Sequence, residues 1–364
     1  MKKFNLLKIT FLLSCVISSA TSYAQGDVAE LLKSSPADAT KLANAYLNPL
    51  FTGFGIGLNS GWNNSADTKK VGRFEIRVSA SGAIVPASAK SFDVTKIGLS
   101  NNVSVASGGN IAPTIGGDDG ATTPTLNVKD GSGNTLESFQ LPSGAGLPFI
   151  PGPQLQATVG LPKHIDVTLR LMPKTKIGDD IGEIGMIGGG VKVDLLRMLN
   201  KTADKILPFS VSVAVGYTQF TYELGLDVPP PSPSEATPAT PSDVKDFTTQ
   251  RISAKFSGTN IDAIISKNLL FFTPFFSVGY SSSKTDVGML GNYPIISGAV
   301  VSGSSVAKTY STFTDPIRIN QTDVSGLHTN IGFKMNLTIL KIFGSYSMAK
   351  YNSFNAGIGL GIGK

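Results

Sequence analysis

The feature that most limits the fold is a two-residue alternation of apolar and small or polar side chains, repeated in segments of about ten residues. Around Phe209 the odd positions read Phe209, Val211, Val213, Val215 and Tyr217, and the even ones Ser210, Ser212, Ala214, Gly216 and Thr218. The same pattern sets Phe74, Ile76 and Val78 against Arg73, Glu75 and Arg77, and sets Ile165, Val167, Leu169 and Leu171 against Asp166, Thr168 and Arg170. It recurs over 327–337 and 354–362. Such alternation is the signature of strands with two different environments on their two faces. No apolar run reaches the roughly 18 residues of a membrane-spanning helix. The chain holds 40 glycines among 364 residues, above the usual share of about 7%, and only 15% of it is charged. Apolar faces on so many strands, without apolar helices, point to a closed barrel in a membrane, because hydrocarbon cannot satisfy an open sheet edge. A secreted β-sandwich is the alternative, but it does not need a long apolar face on every strand.

The N-terminus fits export. Lys2 and Lys3 precede an apolar stretch from Ile9 to Ile17, and Ser22-Tyr23-Ala24 supplies a small-x-small cleavage pattern. Residues 1–24 are therefore expected to be a signal peptide cleaved after Ala24. A lipobox at Leu13-Ser14-Cys15 would leave only about five apolar residues after Lys8, too few for an h-region. Cys15 is the chain's one cysteine and leaves with the signal, so no disulfide, thiol nucleophile or thiolate metal site is expected. Loss of Lys2, Lys3 and Lys8 with no acid lowers the net charge from +6 to +3. No basic cluster interleaves with aromatics, which argues against a nucleic-acid partner.

The alternating segments predict an all-β antiparallel transmembrane barrel of about twelve strands (12–14), with a short helical N-terminal extension. The strands fall near 53–62, 72–85, 91–101, 153–161, 165–173, 183–194, 208–223, 249–264, 270–283, 324–337, 340–350 and 354–363. The segment 91–101 alternates poorly and is included for parity, since bacterial single-chain barrels have even strand numbers. Short joints at 162–164, 266–269 and 338–339 alternate with long connections at 102–152, 224–248 and 284–323. Short turns are periplasmic and long loops extracellular in such barrels, which puts both ends of the chain in the periplasm. The domain layout is then 1–24 signal peptide, 25–50 helical extension that either plugs the lumen or lies beneath it, and 51–364 barrel. Leu195 to Leu199 reads as a short interfacial helix. Asn127 to Leu141, with Asp130-Gly131 inside, reads as a hairpin in the largest loop. Pro229 to Pro241 reads as a solvated extended spacer. Trp62 and Tyr217, near strand ends, fit an aromatic girdle.

Polar residues on alternating faces are expected to line the lumen: Arg73, Glu75, Arg77, Asp166, Arg170, Arg251, Lys255, His328, Lys334 and Asn336. They form either a cross-lumen ion-pair network or a narrow pore. Eight strands are filled by their own side chains and sixteen leave a channel; twelve lies between. Asp323, Ser325 and His328 are close in sequence, but no nucleophile motif accompanies them, and the chain is not expected to be an enzyme. The glycines of Gly53-Phe54-Gly55-Ile56-Gly57 and Gly185–Gly190 lack a phosphate-loop context and are expected to ease wall curvature. Asp118-Asp119 and Asp179-Asp180 are isolated pairs, so no metal and no cofactor is expected.

The run Pro151-Gly152-Pro153-Gln154, Val159-Gly160-Leu161-Pro162, Thr168-Leu169-Arg170-Leu171-Met172-Pro173, Gly189-Gly190-Val191-Lys192, Leu207-Pro208-Phe209 and Gly216-Tyr217-Thr218 resembles an uncharacterised outer-membrane β-barrel family of Bacteroidetes, distantly similar to FadL-type long-chain fatty acid channels. The resemblance spans most of 45–364. It implies location in the cell outer membrane and passage of hydrophobic solutes. FadL-type barrels have more strands than are counted here, and this chain ends in Gly363-Lys364 without a terminal aromatic. The expected function is a passive channel or transporter for small hydrophobic or amphipathic solutes. The alternative is a closed structural or adhesive barrel presenting its loops. Expected partners are outer-membrane lipid, the barrel-assembly machinery during biogenesis and an unidentified small solute.

Overall fold

The computed structural model describes residues 34–130, 132–178, 182–199, 208–302 and 305–361. The expected signal peptide lies outside these residues.

Ten strands close one antiparallel barrel. In chain order they are β1 (Phe74–Ile84), β2 (Phe149–Leu161), β3 (Ile165–Gly178), β4 (Gly182–Asp194), β5 (Ser210–Gly225), β6 (Arg251–Ser266), β7 (Phe272–Leu290), β8 (Ile317–Leu337), β9 (Leu340–Met348) and β10 (Ser353–Gly361). Each pairs with its neighbour in sequence, and β10 returns to β1 with Val78 opposite Ile358. The long connections 85–148, 226–250 and 291–316 emerge at one end. The joints 162–164, 267–271 and 338–339, and the described ends of the joint between β4 and β5, lie at the other.

Two of the expected strands are absent, so the expected twelve become ten. Residues 53–62 form the end of a helix, α1 (Pro36–Asn59), and the turn that follows it. Residues 91–101 contain only the short strand Ser91–Asp93 and a single 3₁₀ turn. The two departures cancel in parity: β1, which lies between them, runs opposite to its expected direction, and every strand from β2 onward keeps its own.

The wall changes character along its height. On β5 the outward positions from Val211 to Tyr217 are apolar, while Ser212 and Thr218 beneath them are fully buried. Two residues further, the faces exchange chemistry: Gln219, Thr221 and Glu223 point out, and Phe220 and Leu224 point in. β6 does the same, with Ile261 and Ile265 outward in its lower half and Ala254 and Phe256 inward in its upper half. On β8 a bulge opposite Ser283 inserts Asp323, turning Ile317 and Ile319 inward above it while Leu327, Ile331 and Phe333 face out below. The outward apolar belt from Phe209 to Tyr217, at about 3.3 Å per residue and a tilt near 40°, rises roughly 20 Å, close to the ~25 Å apolar band of a membrane barrel. Above it stands a collar built like a soluble protein, apolar inside and polar outside.

α1 runs down the axis. Ser35 caps it through the Asp38 amide, and Pro36 fits its first turn. Leu42, Ala43, Phe51 and Leu58 are buried on several faces of the helix, because walls surround it. Phe54 meets Phe220 and Phe256 at ring-centroid distances of 5.4 and 5.2 Å. Gly53 and Gly55 touch the wall so closely that a Cβ would strike Ile150 or Ser283. These glycines serve close helix–wall approach, not wall curvature as the sequence suggests.

The long connections fold into a cap around the upper half of α1. Val103–Ser107, Thr125–Lys129 and Thr135–Gln140 form one three-stranded sheet, which contains the expected hairpin. Ala236–Pro238 adds in parallel to Ser305–Thr314, itself paired with Asn292–Ser302. The expected spacer 229–241 is thus partly pinned into a sheet. Ala39 and Leu42 share one core with Val94, Leu126, Phe139 and Tyr293 from the cap.

Candidate functional site

The chemistry of this molecule is concentrated in the lower lumen, where the chain leaves α1 and runs through residues 60–73 to reach β1. The end of a helix leaves carbonyl groups unpaired. Here Arg170, fully buried, supplies the donors: its two terminal nitrogens donate to Leu58 O at 2.8 Å and Ser60 O at 2.6 Å, and its Nε donates to Gln156 Oε1 at 3.0 Å. Its guanidinium lies over the Trp62 ring at 3.9 Å. A planar fork of five donors can make these contacts at once; an ammonium cannot. Trp62 belongs to this packing and to no girdle, with Gly190 and Gly216 leaving room for its ring. Tyr217 does face outward, at the upper edge of the belt.

Further bonds fasten the segment on every side. From β1, Arg77 donates to Trp62 O at 2.8 Å, and from β2, Gln154 donates to Gly57 O at 2.8 Å. Lys69 N donates to Asp166 of β3 at 2.8 Å, and Ala66 N to Ser266 of β6 at 2.9 Å. Lys192 of β4 reaches Asp67 O at 2.7 Å, and Lys334 of β8 reaches Ser65 Oγ at 2.8 Å. Glu75 is the electrostatic centre: Lys341 approaches it at 2.6 Å, Lys69 at 3.0 Å and Arg77 at 3.5 Å. Lys192 pairs with Asp166 at 3.3 Å.

Six of the residues expected in the lumen are buried there: Glu75, Arg77, Asp166, Arg170, His328 and Lys334. Asn336 sits at the lower rim. Arg73 precedes β1 and is exposed. Arg251 and Lys255 are also exposed and point away from the lumen, since they lie in the collar, where polar side chains face out. Lys192 and Lys341 occupy inward positions of alternating segments and were legible by the same rule. Trp62, expected in a girdle at the end of the 53–62 segment, gave a signal of the wrong kind, and Lys69 lies outside the alternating segments and gave none.

His328 donates to or accepts from Asp262 at 2.8 Å beside a cavity of about 30 Å³, room for one or two waters. Ser325 bonds Tyr280 on the outer surface, and Asp323 accepts from Thr285. The three residues adjacent in sequence are therefore engaged separately. At the lower end a second cavity, about 510 Å³, opens between residues 67–71, the 162–164 turn and the ends of β8 and β9. No group of three His, Cys, Asp or Glu with metal-binding geometry occurs among the described residues.

No curated protein matches the chain. Solved structures similar to it include the outer membrane protease OmpT of Escherichia coli (8% identity, TM-score 0.31, covering 83% of this chain and 99% of that one). The translocator domain of the autotransporter NalP of Neisseria meningitidis aligns at 8% identity and TM-score 0.29, covering 86% and 94%. The P. putida toluene transporter TodX aligns at 11% identity and TM-score 0.23, covering 81% and 68%. A family model spans nearly the whole sequence, residues 1–362, and the chain belongs to that family, a family of unknown function, DUF6588.

Proposed function

We propose that this is an outer-membrane barrel closed by its own N-terminal segment, which holds a folded loop assembly and the start of that segment at the cell surface. The observation that carries this reading is the path of α1 and residues 60–73 through the lumen, bonded to strands on every side. Of the two expectations, passive channel and closed presenting barrel, this filling favours the second. The apolar belt supports the membrane location, since a closed barrel with an apolar outer band suits hydrocarbon.

In this reading the direction of the helix sets which side the start of the segment occupies. Its first turn lies in the loop cap, where Asp38 accepts from Ser100 N at 2.8 Å, and its last turn lies beside Arg170. A helix of 24 residues spans roughly 36 Å. After cleavage at Ala24, residues 25–33 could reach about 32 Å when fully extended. That is too short to run back past the helix to the short-turn side, so this reading expects a tag ahead of Ser34 on the side of the loops.

Two measurements test the reading. Epitope tags placed before Ser34 and between Ser232 and Pro233 should bind antibody on intact cells, and a tag between Thr338 and Ile339 only after permeabilisation. In planar bilayers the intact protein should be silent and a variant lacking 34–66 should conduct. A conducting intact protein would replace this reading with a passive channel for small hydrophobic or amphipathic solutes. An N-terminal tag reachable only from the periplasm would overturn the threading.

A further inference from the structure

The lower cavity has a charge pattern that its own walls do not balance. Lys69, Lys70, Lys163, Arg197, Lys334 and Lys341 line it, and Asp67 is the one acid among its described lining residues. Lys69 and Lys341 are satisfied by Glu75, and Arg197 by Asp194 at 3.0 Å and Asp67 at 3.5 Å. Three cations are then left without a carboxylate within ion-pair distance among the described residues: Lys70, Lys163 and Lys334. Lys70 and Lys163 are exposed, where water can solvate them. Lys334 is different. It is only 9% exposed, and its ammonium bonds only the neutral Ser65 hydroxyl. The Glu75 and Asp67 carboxylates act on it only from beyond ion-pair distance, and a buried ammonium with no carboxylate in contact is costly, since a hydroxyl accepts one bond without neutralising it.

We propose that this cavity is a binding site for a phosphate-bearing anion, with Lys334 as its buried anchor and Lys70 and Lys163 closing on it from the rim. The volume of about 510 Å³ falls within the range of small-molecule sites, roughly 300–1,000 Å³. Lysine ammonium groups bind phosphate as point charges and need no planar partner. Asn336 and Thr338 add neutral donors at the same rim. The site faces the short-turn end, so its existence does not depend on which side of the membrane the loops occupy. Free phosphate compounds and lipid headgroups carry the same recognised group.

Inorganic pyrophosphate is the probe, titrated into the purified full chain in a non-ionic detergent at fixed ionic strength. Saturable binding and a raised unfolding midpoint are expected, with neither reproduced by chloride. Lys334→Met should weaken binding at least tenfold while leaving the protein folded, judged by heat-modifiable gel migration. Lys163→Ala, at an exposed turn, should weaken it several-fold, and Lys255→Met on the outer collar should leave it unchanged. Reconstitution in phosphatidylglycerol vesicles identifies the source: loss of pyrophosphate binding there assigns the site to a lipid headgroup, and retained binding assigns it to a soluble phosphate. No saturable binding, or binding indifferent to both Lys334→Met and Lys163→Ala, overturns the proposal.

Discussion

Arg170 shows how one side chain can decide the state of a lumen. It is fully buried, with no carboxylate among its hydrogen-bond partners; two helix-terminal carbonyls, an amide oxygen and an aromatic face replace one. Charge-assisted bonds of this kind are worth about 1.5–3 kcal/mol each, and the stack over Trp62 adds about 2 when desolvated. Arg170→Met removes the donors and strands Leu58 O and Ser60 O, and should cost on the order of 3–5 kcal/mol. Arg170→Lys should recover little of this, because one ammonium cannot serve three acceptors in a plane. The urea midpoint of heat-modifiable migration reads both, and an unchanged midpoint in Arg170→Met would refute the role assigned to it.

On the scale of a strand, the exchange of faces between belt and collar governs what each position tolerates. Ile261 and Lys255 are both outward on β6, yet one lies in the belt and the other above it. Ile261→Arg should cost about 2–4 kcal/mol in a bilayer, as charges do near the midplane of membrane barrels, and Lys255→Arg almost nothing. Equal folding yields in lipid vesicles for the two variants would contradict the belt. The cap holds a comparable local device. Asp243 accepts from the Thr240 hydroxyl at 2.6 Å and the Thr312 amide at 2.7 Å, tying the turn Pro241–Asp243 to the strand Ser305–Thr314. These bonds, the Thr240 hydroxyl first, hold its carboxyl below the usual carboxylate range. A depressed native value stabilises the cap above the unfolded value near 4, and that contribution is lost as pH falls through the native one. Amide exchange in residues 308–314 should therefore accelerate at acid pH, after correction for intrinsic rates, and Asp243→Asn should remove that dependence. The same exchange of faces explains where reading the sequence failed. The rule that polar residues face the lumen holds for Glu75 and Arg170 in the belt and reverses for Arg251 and Lys255 in the collar.

For the molecule as a whole, the barrel was legible and its contents were not. All ten strands overlap expected alternating segments, because the two faces of the wall impose opposite demands on neighbouring residues; β7 adds a polar upper half to its segment. The helix was hidden by the same logic. Gly53-Phe54-Gly55-Ile56-Gly57-Leu58 alternates perfectly and reads as a strand. Its glycines are there for contact with Ile150 and Ser283, and its apolar residues point several ways because walls surround it. A helix enclosed on all sides shows no single apolar stripe. The described chain therefore begins, with α1, at the loop end of the cylinder, opposite the short-turn side where the extension was expected.

The ties that seat the segment have a consequence in time. Lys334 meets Ser65 across 269 residues of chain, and Lys341 meets Glu75 across 266. Synthesis proceeds from the N-terminus, so the part to be enclosed is made first, and the last of its fasteners arrive only with β8 and β9. Until β8 and β9 are laid down, residues 60–73 have only some of their anchors. Completing the cylinder and finishing the seating of its contents are consequently linked, and a chain stopped short of Lys334 would hold that segment only by the earlier anchors from β1 to β6. Full seating, with Lys334 on Ser65 and Lys341 on Glu75, reports that the last strands have been made.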